Sequence, residues 1–207
     1  MTSVARSMRV ALILFLMLFL AAPAWASHEA GQVGDCHVSF DMNTTLQYTV
    51  IVQGPSSGVT SSGAKFTRYN LTVNSADYFA SMVLTRYDEP VVANITADEY
   101  IVLNALQLVG ADQPNLYQVP IDGQPGVLGS FRFKNIDLGE GRYQQGDIVV
   151  AACYSPDGAV SEDGIYRGKT DCRIISTYSW EIIRDMLYTL HVEVPKDESV
   201  SVPENQS

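Results

Sequence analysis

Apolar residues recur along the chain with two different periods, and the period changes from one stretch to the next. Before residue 94 the period is two. His37 to Met42 and Leu46 to Gln53 read as strands, the second placing Leu46, Tyr48, Val50 and Val52 on one face. Gly54 to Gly63 is a Ser and Gly loop around Pro55. Lys65 to Val73 alternates again, and Ser81 to Tyr87 returns antiparallel to it. At Ala97 the period becomes helical. Thr96 with Glu99 forms a capping box, Ile101, Val102, Ala105, Leu106 and Val109 share a stripe, and Gly110 closes the helix after Val109. Alternation resumes at Tyr117, Val119 and Ile121, turns through Asp122 to Gly126, and returns over Phe131 and Phe133. Asn135 to Gly146 holds three glycines and reads as a loop. A last helix, Trp180 to Leu190, starts after Ser179 and carries Ile182, Ile183, Met186, Leu187 and Leu190 on one stripe. His191 to Val194 adds a short extended segment.

One stretch has no period. Ile148 to Cys153 is six consecutive apolar residues without Pro or Gly, which fits a strand covered on both faces, a buried helix being the alternative that periodicity alone does not exclude. It passes through a polar loop into Cys172, Arg173, Ile174 and Ile175, which predicts a buried hairpin. Cys153 and Cys172 stand at the two ends of that loop. Neighbouring strands bring such residues within disulfide reach, and this pairing, which leaves Cys36 unpaired, would stabilise the fold by about 3 kcal/mol. Three pairings exist, and Cys36 reaches either partner if the first strand borders the hairpin. The elements together predict an α+β domain, an antiparallel sheet with two main helices packed on it.

The chain's first residues add a compartment. Arg6 and Arg9 precede an apolar run from Val10 to Ala22, and Ala24, Trp25, Ala26 supply a small-x-small cleavage pattern, so residues 1–26 read as a signal peptide. The alternative is an uncleaved anchor from Val10 to Ala26, only just long enough to span a bilayer. Residues 27–36 then form a flexible leader, 37–194 a single domain, and 195–207 a disordered acidic tail. The expected location is secreted or cell surface, with no stable membrane span after cleavage. The chain has 13 basic and 23 acidic residues; cleavage removes two arginines and no acid, leaving a net charge of −12. Charge of that sign argues against nucleic acid and leaves a protein or cell-envelope partner.

Candidate chemistry is sparse. His28, His37 and His191 lie apart, and no nucleophile elbow, phosphate loop or His-Glu-x-x-His pattern is present. No catalytic residue, cofactor or metal ligand is assigned. The loop between the late cysteines holds Asp157, Glu162, Asp163 and Asp171, hard oxygen donors whose spacing matches no calcium loop. Thr-Arg-Tyr occurs twice, at 67–69 and 85–87. If Tyr69 faces Thr85, Arg68 opposes Arg86, and this like-charged pair is an anion contact unless Asp88 or Glu89 partners it. Asn43, Asn70, Asn94 and Asn205 begin sequons and are glycosylation candidates in an exported chain; Thr96 of the third also serves the expected helix cap.

The order of strands, capped helix, hairpins and final helix over residues 37–194 resembles the PsbP and Mog1 group, whose fold is an α/β/α sandwich. Ile121 to Val127, and Ser176 to Glu181 with Leu190 to Glu193, resemble stretches of small uncharacterised exported archaeal proteins. The resemblance implies a non-catalytic accessory or binding role and carries over no functional residue. Two expectations follow: an exported, envelope-associated accessory or binding domain, or a secreted hydrolase or other enzyme whose site is assembled from scattered residues. A concave apolar site with convergent polar groups is the feature that bears on both.

Overall fold

A computed structural model describes residues 26–134, 136–139, 142–144, 147–160 and 165–195. The expected signal peptide, except Ala26, and the tail from Lys196 on, with Asn205, lie outside the described residues. In chain order the elements are β1 (Ser27–Val33), β2 (Cys36–Met42), β3 (Thr49–Val59), β4 (Lys65–Asn74), β5 (Phe79–Asn94) and helix α1 (Ile95–Leu108). There follow β6 (Asn115–Ile121), β7 (Gln124–Arg132), β8 (Ile136–Gly139), β9 (Arg142–Gln144) and β10 (Ile148–Tyr154). The last are β11 (Ala159–Val160), β12 (Ile165–Ser176), helix α2 (Trp180–Thr189) and β13 (His191–Glu193).

Strands β3-β4-β5-β12-β10-β7-β6, with β11 beside β12, form one large antiparallel sheet. A three-stranded sheet β1-β2-β13 packs on one of its faces. The architecture is mostly β, with two helices among the described residues, and it corrects the expected α+β sheet carrying two helices, the PsbP/Mog1-like α/β/α sandwich. The missed element explains the difference. Residues 27–33, expected as a flexible leader, pair with β2 from Ser27↔Met42 to Val33↔Cys36. Only Val33 of β1 is buried, so the strand shows no apolar period in its own sequence.

The run at β10 is covered on both faces, as its composition predicts. Val150, Ala152 and Tyr154 join Phe40, Met82 and Ile183 in a core between the two sheets. Val149, Ala151 and Cys153 face the other way, toward Val102 and Leu106 of α1. Close approach of that helix depends on Gly129 of β7, where a Cβ atom would lie 2.5 Å from Val102 Cγ1 and 2.7 Å from Leu106 Cδ1. Helix α2 packs on β2 and β10. The expected hairpin forms, with Ala152 opposite Ile174 and β12 in turn pairing with β5.

Other boundaries differ from the sequence reading for local reasons. The Ser and Gly loop begins later, because β3 continues through Ser56 to Val59 beyond an irregularity between Gln53 and Ser56. The expected loop 135–146 contains the short pair β8-β9. Helix α1 is capped by Asn94, whose Oδ1 accepts from the Ala97 amide at 2.9 Å, two residues before the expected cap Thr96. Ser179 stands at the cap position of α2 without a side-chain capping bond.

The packing predicts a steep contrast along α1. Leu106 is fully buried and Leu108 is 88% exposed. Leu106→Ala is expected to cost about 3 kcal/mol of unfolding free energy and Leu108→Ala less than about 0.5, as read from urea titrations. Equal costs would show that α1 does not seat on β7 and β10.

Candidate functional site

Two hollows flank one edge strand of the large sheet. The larger, about 650 Å³, lies between α2 and the β6, β7 and β10 surface. Tyr117, Val119, Ile148, Trp180, Leu187 and Tyr188 give it an apolar lining. Arg132, Arg184 and Glu181 also line it. The Arg184 guanidinium is held at 2.8 Å by Asp185. The smaller, about 450 Å³, opens on the opposite side of β6 against Ile95, Val160 and Tyr166. Gln118, Val119 and Pro120 border both. Periodicity could find the strand and the helix; it carries no information that β6 ends the sheet beside α2.

A second concentration of polar groups lies under α1. Asp98 is only 3% exposed. Tyr166 donates its hydroxyl to Asp98 Oδ2, while Cys153 Sγ lies 3.4 Å from both Asp98 Oδ1 and Asp171 Oδ1. Asp171 in turn holds Arg173 Nε at 2.6 Å. Burial raises the Asp98 carboxyl above its usual range, with the Asp171 charge adding to it and the donors Tyr166 and Cys153 opposing. Burial likewise pushes the Cys153 thiol well up, reinforced by Asp171 and Asp98, so the sulfur stays protonated. The arrangement is a closed donor–acceptor network rather than an exposed nucleophile. Its sequence signal was present: Asp98, Val102 and Leu106 recur every four residues on the buried face of α1.

The expected anion contact does not form. Arg68 pairs with Thr85 and Arg86 with Thr67, one residue off the register that opposes the two arginines. They therefore point to opposite faces. Arg68 Cζ lies 4.8 Å from the Phe66 ring centroid, and its Nε reaches Thr85 Oγ1 at 3.4 Å. Arg86 is held by Asp35 at 3.2 Å, Asp157 at 3.5 Å and Thr170 Oγ1 at 2.5 Å. Asp157, from the acidic loop, also accepts the Thr170 amide at 2.9 Å.

The cysteine geometry is likewise different from expectation. Cys153 stands opposite Arg173, and Cys172 opposite Tyr154. The two sulfurs therefore project from opposite faces of the sheet, into different cores, and all three cysteines are buried free thiols. Of the sequons, Asn43 is exposed and donates to Asp185 Oδ2 at 3.1 Å. Asn70 accepts from Ser81 Oγ within the sheet, and Asn94 is occupied as the α1 cap.

No helix among the described residues is long and apolar enough to cross a membrane. Compared with known proteins, the chain matches no family model, no curated protein and no solved structure.

The Asp98 environment sets a pH dependence. Its folded-state pKa lies above the ordinary 3.8, so the stability it contributes is full below pH 3.8 and is lost as pH rises through the raised value. Asp98→Asn lacks this loss. Urea unfolding between about pH 4 and 7 should show the variant gaining on the parent as pH rises; parallel profiles would contradict the assignment.

Proposed function

We propose that the protein is an exported, envelope-associated binding domain, without catalytic activity, whose ligand occupies the groove between α2 and β6. Export is supported by the charged, apolar and small-residue order of residues 1–26. The binding reading is carried by the groove: its volume suits a small ligand or a few peptide side chains, its lining is apolar and aromatic, and its charged side chains lie among them. Burial of apolar surface against Tyr117, Val119 and Trp180 supplies attraction, and the guanidinium groups supply orientation. The enclosed Asp98 and Cys153 network is separate from this groove and belongs to the packing of α1.

The groove carries its own reporter. The chain has two tryptophans, Trp25 within the expected signal and Trp180 in the groove, so the processed protein emits from Trp180 alone. Titration with anilinonaphthalene sulfonate, an apolar anion, should quench Trp180 saturably. Tyr117→Ala should weaken that binding about tenfold, equivalent to about 1.4 kcal/mol. Tyr100→Ala, on the exposed side of α1, should leave it unchanged. Equal affinity in both variants, or no saturable quenching, would reject the groove as the binding site.

A further inference from the structure

Two of the three thiols share a core. Cys36, Val38, Phe40 and Met42 form the inward row of β2, and Cys172 and Ile174 point into the same core from β12. Cys153 faces the other core, under α1. The neighbours of Cys36 fix where along the large sheet it sits. A Cβ atom on Gly34 would lie 2.3 Å from the Tyr69 ring, so the β1-β2 turn rests directly on β4 rather than a full layer, about 10 Å, above it. Such seating favours the short Cα separation, about 4.4 to 6.8 Å, that a disulfide spans. Tyr69 opposes Leu84, and Leu84 opposes Cys172, so the turn lies over the row that holds Cys172. Asp35 marks the next row: its Oδ1 accepts from Cys36 Sγ at 3.6 Å and its Oδ2 from Arg86 Nε at 3.2 Å. Arg86 stands opposite Thr170, two residues from Cys172 on the same side of β12. Electrostatics agrees. Burial foremost raises the Cys172 thiol, with Asp171 next and the Cys36 group among the lesser contributors.

We propose that Cys36 and Cys172 are a modification site, a thiol pair that closes to a disulfide when the chain folds in an oxidising compartment and so ties the small sheet to the large one. This rests on the export part of the proposed function and not on the groove. The oxidant is the disulfide of a thiol–disulfide oxidoreductase. Cys36 gives up its proton and its thiolate attacks that disulfide, forming a mixed disulfide and releasing one oxidant thiolate; the Cys172 thiolate then displaces the other. The balance is simple. The bond formed is Cys36 Sγ–Cys172 Sγ, the bond broken is the oxidant's, two electrons pass to the oxidant, and its two thiolates take up the two protons. Burial, reinforced by Asp35, pushes the Cys36 thiol up to about 12, so the exchange belongs to the folding chain, before β2 settles on the large sheet. The closed loop runs from residue 36 to residue 172. Constraint of the unfolded chain grows with loop length, so this pair restricts it more than the expected Cys153 and Cys172 bond would.

Non-reducing peptide mapping tests the pair. Cleavage after Lys65, Arg167 and Lys169 puts the three cysteines on separate tryptic peptides, so every pairing has its own mass. Two samples are mapped: the chain made in an exporting cell, and the full chain refolded from urea in oxidised and reduced glutathione. A Cys36–Cys172 linked peptide is expected in both, retained in Cys153→Ala and absent from Cys36→Ala. The refolded parent, once oxidised, should also melt about 8 °C above its reduced form, whereas Cys36→Ala should melt alike under both conditions. The map of the parent needs no variant to fold. Three free thiols in the refolded chain, or a link that involves Cys153, overturns the pair, as does an exported and processed chain with three free thiols. A linked refolded chain whose cell-made counterpart keeps residues 1–26 and three thiols retains the pair and rejects export.

Discussion

The structure depends on removing β10 from water on both sides at once. A strand whose every side chain is apolar cannot lie at the surface of a two-layer fold; it requires a layer above and a layer below. The chain supplies α1 for one and the three-stranded sheet with α2 for the other. Each cover is specified by small details at the contact. Gly129 lets α1 descend until Val102 and Leu106 touch β7, and the positive φ of Gly34 turns β1 back onto β2 so that Val33 and Phe40 can reach the opposite core.

Much of this order was legible because it is local. Alternation found the strands, the four-residue recurrence found α1 and α2, and the aperiodic run identified the doubly covered strand. What was hidden depends on partners distant in sequence. The strand β1 buries a single side chain, so its pairing with β2 leaves no trace in its own pattern. A one-residue difference in the β4-β5 register separates Arg68 from Arg86 by the whole thickness of the sheet, and hairpin logic could not distinguish the two registers. The same parity rule separates Cys153 from Cys172: residues one step out of opposition face different cores however near their backbones lie.

The few cations of an acidic chain are spent on closure. Arg86 gathers Asp35 from the β1-β2 turn and Asp157 from the β10-β12 connection, and Arg173 answers Asp171 beside the buried Asp98. Such partly buried charge-assisted bonds orient loops more than they add net stability. The groove is lined separately, by Arg132, Arg184 and Glu181 beside its aromatic wall. The candidate site was invisible in the sequence because it is made by juxtaposition: an edge strand, a helix after the last long strand, and, among the described residues, no further strand beyond β6.

The small sheet has a consequence in time. Its middle strand, β2, precedes nearly all the other described strands in the chain, yet one of its two neighbours is β13, the last described strand. Asp35 meets Arg86 and, through it, the Asp157 loop, across separations of 51 and 71 residues. Contacts so far apart close late, because the intervening chain must first be ordered. The β1-β2 hairpin therefore waits, with Phe40 and Met42 uncovered, until β13 has been made, and during that interval the chain is exposed to capture by chaperones or by its own copies.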